Sequence, residues 1–316
     1  MAAPKCSDEE FIALWQSSAT ASAMAATLGI TERKIFERRR SIERRHQIEL
    51  TSNVVRANRA IVSTPHPHRV PLSVPNGIVI VAGDAHYWPG KPSLMHRALV
   101  LFIKELKPKA VIMNGDVTDL ASISRWPVVN WEKQPTVQEE IEVCQDRLHE
   151  IATAAGKARK LWPLGNHDAR YSVFLAQHAQ EFAKVHGLHL KDHFPLWEPC
   201  WSTLINDNTI VKHSYKGGIH AAHNNAVQGG IHMITNHLHS AKVTPWTDYT
   251  GTRYGVDTGC IADTHAPAFL YMQDNPRNWR EAFAVLTYKN GELLYPELVL
   301  KWDDERVQFR GEIVRP

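Results

Sequence analysis

Side chains able to hold a divalent metal fall in five short clusters: Gly83-Asp84-Ala85-His86, Asn114-Gly115-Asp116-Val117-Thr118-Asp119, Gly165-Asn166-His167-Asp168, His213, and Asn236-His237-Leu238-His239. Carboxylate oxygens and imidazole nitrogens suit Mn, Fe, Zn or Ni, and the lack of cysteine in these clusters argues against a thiolate zinc site. Histidine is the commonest metal ligand in proteins, and the chain has 18, many in its second half. Each cluster alone is ordinary, because Gly-Asp turns are common and a lone histidine is usually a hydrogen-bonded surface or core residue. Taken in order, D-x-H, GD-x-x-D, GNHD, H and H-x-H form one set with one chemistry. An H-x-H pair in extended backbone places both imidazoles on the same side, as shared ligation requires.

The clusters need a scaffold that brings them together. Ile78-Val79-Ile80-Val81-Ala82 and Ala110-Val111-Ile112-Met113 are continuous apolar runs, as expected of strands buried on both faces, and 160–164 reads as a third. Amphipathic helices are expected at 93–106 and 136–155. Later strands are expected at 209–212 and 231–235. The tail is strand-rich at 283–288, 293–300 and 307–309, with Asn290-Gly291 as a hairpin turn. The first three strands each run into a cluster, and in an open α/β sheet ligand sites gather at the carboxyl ends of strands. The expected fold class is an α/β sandwich of mixed sheets.

The motif series resembles that of the calcineurin-like metallophosphoesterase superfamily, over about residues 78–239. That resemblance implies a four-layer α/β/β/α sandwich with two metal ions at one end. Matched position by position, one metal would be held by Asp84, His86, Asp116 and His239. The other would take Asp116, Asn166, His213 and His237, so that Asp116 bridges. His167 would be the acid/base near the leaving group, with Asp168 orienting its ring. The chain departs from the family pattern at Asn236 and at Lys212, where glycine is usual. Two divalent ions about 3.5–4 Å apart acidify a bridging water, the nucleophile, and neutralise the phosphoryl oxygens during in-line displacement. Asn166 would add no charge and leave the site cationic enough for a phosphate anion. Manganese is the metal the resemblance implies first.

Residues 1–50 read as a small all-α module. Ser7-Asp8-Glu9-Glu10 is a capping-box pattern ahead of the apolar face Phe11, Ile12, Leu14 and Trp15. Thr20 can cap a second, alanine-rich helix ending at Gly29, and Thr31 a third running to about residue 47. Ala25, Gly29 and the inner face Met24, Leu28, Ile30 and Ile35 resemble the helix-turn-helix regions of bacterial and phage DNA-binding proteins. The pattern departs at Arg38, where an apolar residue is usual. Arg33, Lys34, Arg38, Arg39, Arg40, Arg44 and Arg45 face four acidic residues, Glu32, Glu37, Glu43 and Glu49, a basic surplus of three on one helix. Such a helix suits phosphate and guanine contacts in DNA; a solvated face laced with i,i+4 pairs has the same composition. One module of this size binds weakly, so a homo-oligomer or the catalytic domain must share the work. Residues 51–77, with Pro65, Pro67, Pro71 and Pro75, read as a linker or wrapping segment, and 78–316 as the catalytic domain.

A net charge of +3 is too mild to name a partner by itself. Cys6, Cys144, Cys200 and Cys260 are scattered, as reduced cytosolic thiols are. No apolar run reaches membrane-spanning length, and none sits behind a basic amino terminus as a secretory signal would. The expectation is a cytoplasmic enzyme with DNA as partner and no membrane, in a bacterium or a phage-infected cell, since the chain as a whole resembles phage-encoded phosphoesterases. Its expected reaction is DNA-directed phosphodiester hydrolysis. The alternatives are a phosphomonoesterase or small-molecule phosphodiesterase with a partner-docking front module, and an inert DNA-binding regulator. His220, His223 and His232 read as loop residues near the pocket, and His178, His186, His189 and His193 follow no ligand spacing. Arg125 and Trp126 are candidates for contacting a phosphate and a base.

Overall fold

A strand that is apolar at every position must be covered on both faces, and β2 (Gly77–Ala82) is. Its Ile80 and Ala82 join a core shared with helices, while Val79 and Val81 join a second core shared with another sheet. The computed structural model describes residues 6–17, 21–48, 50, 66–125, 131, 133–275 and 277–316. It divides into two units, Met1–Thr64 and Pro65–Pro316.

In the larger unit, β2 pairs in parallel with β3 (Ala110–Met113), β3 with β4 (Arg159–Pro163), and β4 with β5 (Glu198–Cys200). On its other side β2 pairs antiparallel with β11 (Ala282–Lys289), which leads through β13 (Glu297–Lys301) and β14 (Val307–Phe309) to β15 (Glu312–Val314). The short β12 (Glu292–Leu293) folds back on β11. Asn290 and Gly291 between them both have positive φ, as a type I′ hairpin turn demands. The second sheet has the order β1 (Val70–Leu72), β6 (Thr203–Ile205), β7 (Thr209–Val211), β8 (His232–Thr235), β10 (Gly251–Asp257), β9 (Lys242–Asp248).

Outside the larger sheet lie α4 (Leu94–Leu106) and α5 (Val137–Ala155), started by the caps Ser93 and Thr136. Met95, Leu99, Ile103, Ile141, Leu148 and Ile151 pack them onto Ile80, Val111, Trp162 and Val285. Between the sheets lie Ile112, Leu161, Val211, Ile234, Val256 and Leu286. The second sheet is covered by α8 (Ala221–Gly229), which follows α6 (Asn166–His178) and the one-turn α7 (Leu190–His193). A Cβ on Gly255 of β10 would overlap the Ala222 carbonyl of α8, so the helix rests on bare backbone. The result is the four-layer α/β/β/α sandwich expected. No helix among the described residues is long and apolar enough to cross a membrane.

In the smaller unit, Ser7 and Glu10 form the capping box of α1 (Asp8–Ser17) through bonds of 3.1 and 2.7 Å. Phe11, Trp15, Met24, Ala25, Ile35, Ile42 and Leu50 form one core between α1, α2 (Ala21–Leu28) and α3 (Glu32–His46). Thr20 and Glu49 lie outside the described residues.

Several elements differ from expectation. Of the segment 51–77, residues 51–65 lie outside those described, but Val70–Leu72 is a strand on the edge of the second sheet. Pro71 is tolerated there because an edge strand can forgo a donor. The run expected at 293–300 is split into β12 and β13, with Pro296 between them. His223 lies in α8 and His232 in β8 instead of in loops.

The close seat of α8 makes a prediction. Gly255→Ala should destabilise the protein by about 1–3 kcal/mol, the usual cost of overpacking. Urea unfolding measures this, and an unchanged midpoint would contradict the contact.

Candidate metal centre

The loops after β2 and β3 leave the sheet side by side. Asp84 N–H donates to the Gly115 carbonyl (2.9 Å), His86 N–H to that of Asp116 (3.0 Å), and Tyr87 N–H to that of Val117 (3.0 Å). Asn114 ties this rim to the second sheet by donating to the Lys212 carbonyl (3.0 Å) and to Asn236 Oδ1 (2.8 Å). Asn236 donates onward to the Gly259 carbonyl (2.9 Å). Asn236, where the superfamily that the chain resembles usually has glycine, is therefore a buried cross-link between three loops. Asp84, His86, Asp116, His237 and His239 all hold positive φ. Asp and His enter this region more readily than most residues, yet five in one place is the clustering of backbone strain seen at functional sites.

Two groups of side chains converge there. Asp84, His86 and His239 form one and Asp116, His213 and His237 the other, with ligand-capable atoms within 4.8 Å of each other in each group. His213 joins them, its Nε2 lying 3.2 Å from Asp116 Oδ2 and its Nδ1 3.9 Å from Asp84 Oδ1. His213 Nδ1–H donates to the Asn114 carbonyl (2.9 Å), which fixes the tautomer and leaves Nε2 free to bind a cation. That Nε2 also faces His237 Nδ1 at 3.2 Å. Two ring nitrogens and a carboxylate thus meet where only a proton or a cation can reconcile them. Asn166 is exposed at the start of α6, between Gly165 and His167, whose N–H donates to Asp116 Oδ1 (2.8 Å). A Cβ on Gly165 would overlap Asp116, so this loop can approach the carboxylate only as glycine.

The donors fit a metal. Asp84 Oδ1, His86 Nε2 and His239 Nδ1 are buried with no hydrogen-bond partner, although buried polar atoms are nearly always satisfied. All three belong to one of the convergent groups. Burial by itself would raise Asp116, but His213 and its hydrogen bond hold the carboxyl well below the usual range. Asp84 is lowered against burial by His239 and His213. Burial opposes the charge on His213 as well, yet Asp116 and Asp84 raise its pKa to about 10. Phe269 and Trp279 wall the site: the Trp279 ring lies 4.5 Å from that of His239, and Phe269 5.2 Å from that of His86.

His167 stands beside the first group, its ring 4.6 Å from that of His86. Asp168 was expected to orient it and does not. The Asp168 carboxylate accepts from the backbone N–H groups of Val117, Thr118 and Gly165, from the Thr118 hydroxyl and from Trp162 Nε1, all at 2.9–3.1 Å. It is fully buried three residues into the turn, where it caps α6 and pins the rim instead. The residue at the ring is Asp119, with Oδ1 2.9 Å from His167 Nδ1 and 2.9 Å from His86 Nδ1. Its role was not read from the sequence, although it is the last residue of the GD-x-x-D cluster. Arg170 was missed as well; it donates to the Asp119 carbonyl (2.7 Å) and lies 3.1 Å from His167 Nε2. Burial opposes a charge on His167, but Asp119 and Asp116 raise its pKa overall.

The basic residues of α3 divide. Arg38 donates to the Cys6 and Ser7 carbonyls and lies over the Phe11 ring at 5.0 Å, so it fills the usual apolar position from inside the unit and is not free for DNA. Arg39 lies over Trp15 (5.3 Å) beside Glu43 (3.5 Å), and Arg45 pairs with Asp8 (2.7 Å). Arg33, paired with Glu37 (2.9 Å), joins Lys34, Arg40 and Arg44 on the exposed face. Arg125 is exposed after the turn Ala121–Ile123, and Trp126 lies outside the described residues.

No family model matches the chain. It is similar to the gene 54 protein of Mycobacterium phage L5, 24% identical over 229 residues, 64% of this chain and 86% of that protein. Among solved structures it is similar to Vps29 from Entamoeba histolytica complexed with zinc, at 15% identity and a TM-score of 0.38, covering 75% of this chain and 98% of that one. An archaeal phosphodiesterase is 13% identical with a TM-score of 0.38, covering 71% of this chain and 99% of that one.

Two predictions separate the roles of these groups. Asp119→Asn should weaken metal binding about 10–100-fold, the usual cost of losing a ligand's hydrogen-bond partner, with little loss of stability. Asp168→Ala should instead unfold the protein more easily by several kcal/mol, about 1–3 for each donor left buried and unpaired. Calorimetric metal titration and urea unfolding test both, and the reverse pattern would contradict the assignment. A charged His213 stabilises the metal-free fold, fully below about pH 6.5 and progressively less as pH rises through about 10. Metal must displace that proton. Uptake near pH 8 should therefore release protons, and affinity should tighten as pH rises toward 10. Titration in buffers of different ionisation enthalpy reads the release, and a proton-neutral uptake would refute it.

Proposed function

We propose that the protein is a metal-dependent phosphoric ester hydrolase that cleaves phosphodiesters in DNA. The observation carrying this is the pair of Asp/His groups linked by His213, which meets Asp116 in one and Asp84 in the other, with buried ligand atoms that have no hydrogen-bond partner. Asp84, His86, Asp116 and His239 would hold one divalent ion, and Asp116, Asn166, His213 and His237 another; manganese is our first choice. Bound there, such ions supply an acidified water and neutralise charge on a phosphoryl group.

The chain's own residues complete the chemistry. His167 stands beside the ligands with Nδ1 fixed by Asp119, so its Nε2 is the atom that can pass a proton to a leaving alkoxide. Arg170 donates to that nitrogen at 3.1 Å, so Nε2 would carry the proton only once the guanidinium has turned to the phosphoryl group of a bound substrate, where it would add a cation. Phe269 and Trp279 keep water from the far side of His86 and His239. A diester needs such an acid because its alkoxide leaves poorly unprotonated.

DNA as substrate is supported by the exposed residues Arg33, Lys34, Arg40 and Arg44 of α3, which suit phosphate contacts. A homo-oligomer would pair two such faces, and a cytoplasmic setting would supply the DNA.

Purified protein loaded with Mn, Fe, Zn or Ni should hydrolyse bis-p-nitrophenyl phosphate faster than p-nitrophenyl phosphate, and should cut plasmid or single-stranded DNA. Preference for the monoester with DNA left intact would replace this reading with a phosphomonoesterase. Asp116→Asn should lower turnover by about a thousandfold or more, since a bridging carboxylate supports several kcal/mol of charge stabilisation; unchanged turnover would remove the site assignment.

A further inference from the structure

Two cation–aromatic groups flank the metal-ligand groups, and the chemistry so far uses neither their cations nor their tyrosines. On the side of His213, Tyr215 is 43% exposed, with Lys212 Nζ 5.3 Å and Lys216 Nζ 5.0 Å from its ring centre. Lys212 directly precedes His213, and Lys216 N–H is pinned to Asn225 Oδ1 of α8 at 3.0 Å, so this group rides on fixed backbone. On the side of His239, the Arg277 guanidinium lies 5.1 Å over Trp279 and 5.9 Å over Tyr271. Trp279 itself touches the His239 ring at 4.5 Å, and Tyr271 is 49% exposed. The Tyr271 ring lies 6.4 Å from that of Phe269, which itself packs 5.2 Å from the His86 ring and 6.0 Å from the His239 ring, so Tyr271 is one ring removed from the ligands.

Half-exposed tyrosines carrying lysine or arginine at the ring combine the two elements that hold an unpaired strand: a flat surface for a base and a cation for the adjoining phosphate. A duplex offers phosphates but keeps its base faces stacked, so these rings would have nothing to take from it. We infer that Tyr215 and Tyr271 are base-stacking platforms on either side of the metal centre, and that the strand presented for cleavage is single-stranded nucleic acid. This rests on the phosphodiesterase reading above and narrows its substrate. Lys212, Lys216 and Arg277 hold the phosphates next to the scissile one, while each tyrosine takes an unpaired base.

The test uses the full chain. Binding of a labelled single-stranded oligodeoxynucleotide, and of the same strand annealed to its complement, is followed by fluorescence anisotropy without metal. Turnover of the single strand and of bis-p-nitrophenyl phosphate is measured with manganese. Tyr215→Ala and Tyr271→Ala should each weaken single-strand binding about tenfold and leave duplex binding by the remaining surface where it was. They should lower the ratio of kcat/KM for the strand to that for the small diester by a similar factor. Tyr215→Phe and Tyr271→Phe keep the ring and should restore both. Equal weakening for strand and duplex, no weakening for either, or failure of phenylalanine to rescue would overturn the inference. Absence of small-diester turnover in the parent protein would instead remove the hydrolase reading, while the binding comparison still decides the platforms.

Discussion

Asp84 and Asp116 are buried carboxylates within reach of one imidazole, and that arrangement constrains everything around it. Buried like charges repel and lose their hydration, and a fold keeps them only if positive charge lies among them. In the metal-free chain His213 can supply one proton. Asp84 Oδ1 is met only by the His239 and His213 rings at 3.5 and 3.9 Å, and His86 Nε2 and His239 Nδ1 have no hydrogen-bond partner, which leaves donors for a further cation. The two sheets, the glycines at 115 and 165 and the Asn114–Asn236 cross-link all hold these donors near each other against that repulsion.

The backbone shares the load. Five of the seven proposed metal ligands sit at positive φ, at a cost on the order of 1 kcal/mol or more apiece, and they stay there because neighbouring loops bond to each other. Asp168 anchors one of these loops with five accepted hydrogen bonds. Asp119 links two imidazoles, so the ring that would deliver a proton and a ring that would hold a cation cannot move independently. Preorganisation of this kind is what lets a site act without rearranging its dipoles during reaction.

The central strands were legible because an unbroken apolar run has one solution, burial on both faces, and the clusters follow those runs directly. Ligand types were legible for the same reason: D-x-H and H-x-H are local patterns. What could not be read was any relation set by the third dimension. Asp168 neighbours His167 in the chain but turns into the helix cap, whereas Asp119, 48 residues earlier, meets the ring. Arg38 looked like a DNA contact because its charge is visible and its partners, the carbonyls of Cys6 and Ser7, are not. Val70–Leu72 looked like linker because three-residue edge strands with a proline carry almost no periodic signal. Helix α8 was hidden by the glycines and histidines that flank it, and its seat on Gly255 shows why it is there.

The central claim is that two cations lie between loops drawn from five separate parts of the chain. Crystals grown with manganese and measured by anomalous diffraction test it most directly. The account predicts two anomalous peaks per chain, one among Asp84, His86 and His239 and the other among Asp116, His213 and His237, with Asp116 touching both. An empty map at these residues in protein that is folded and manganese-saturated, or peaks confined to surface carboxylates, would contradict it.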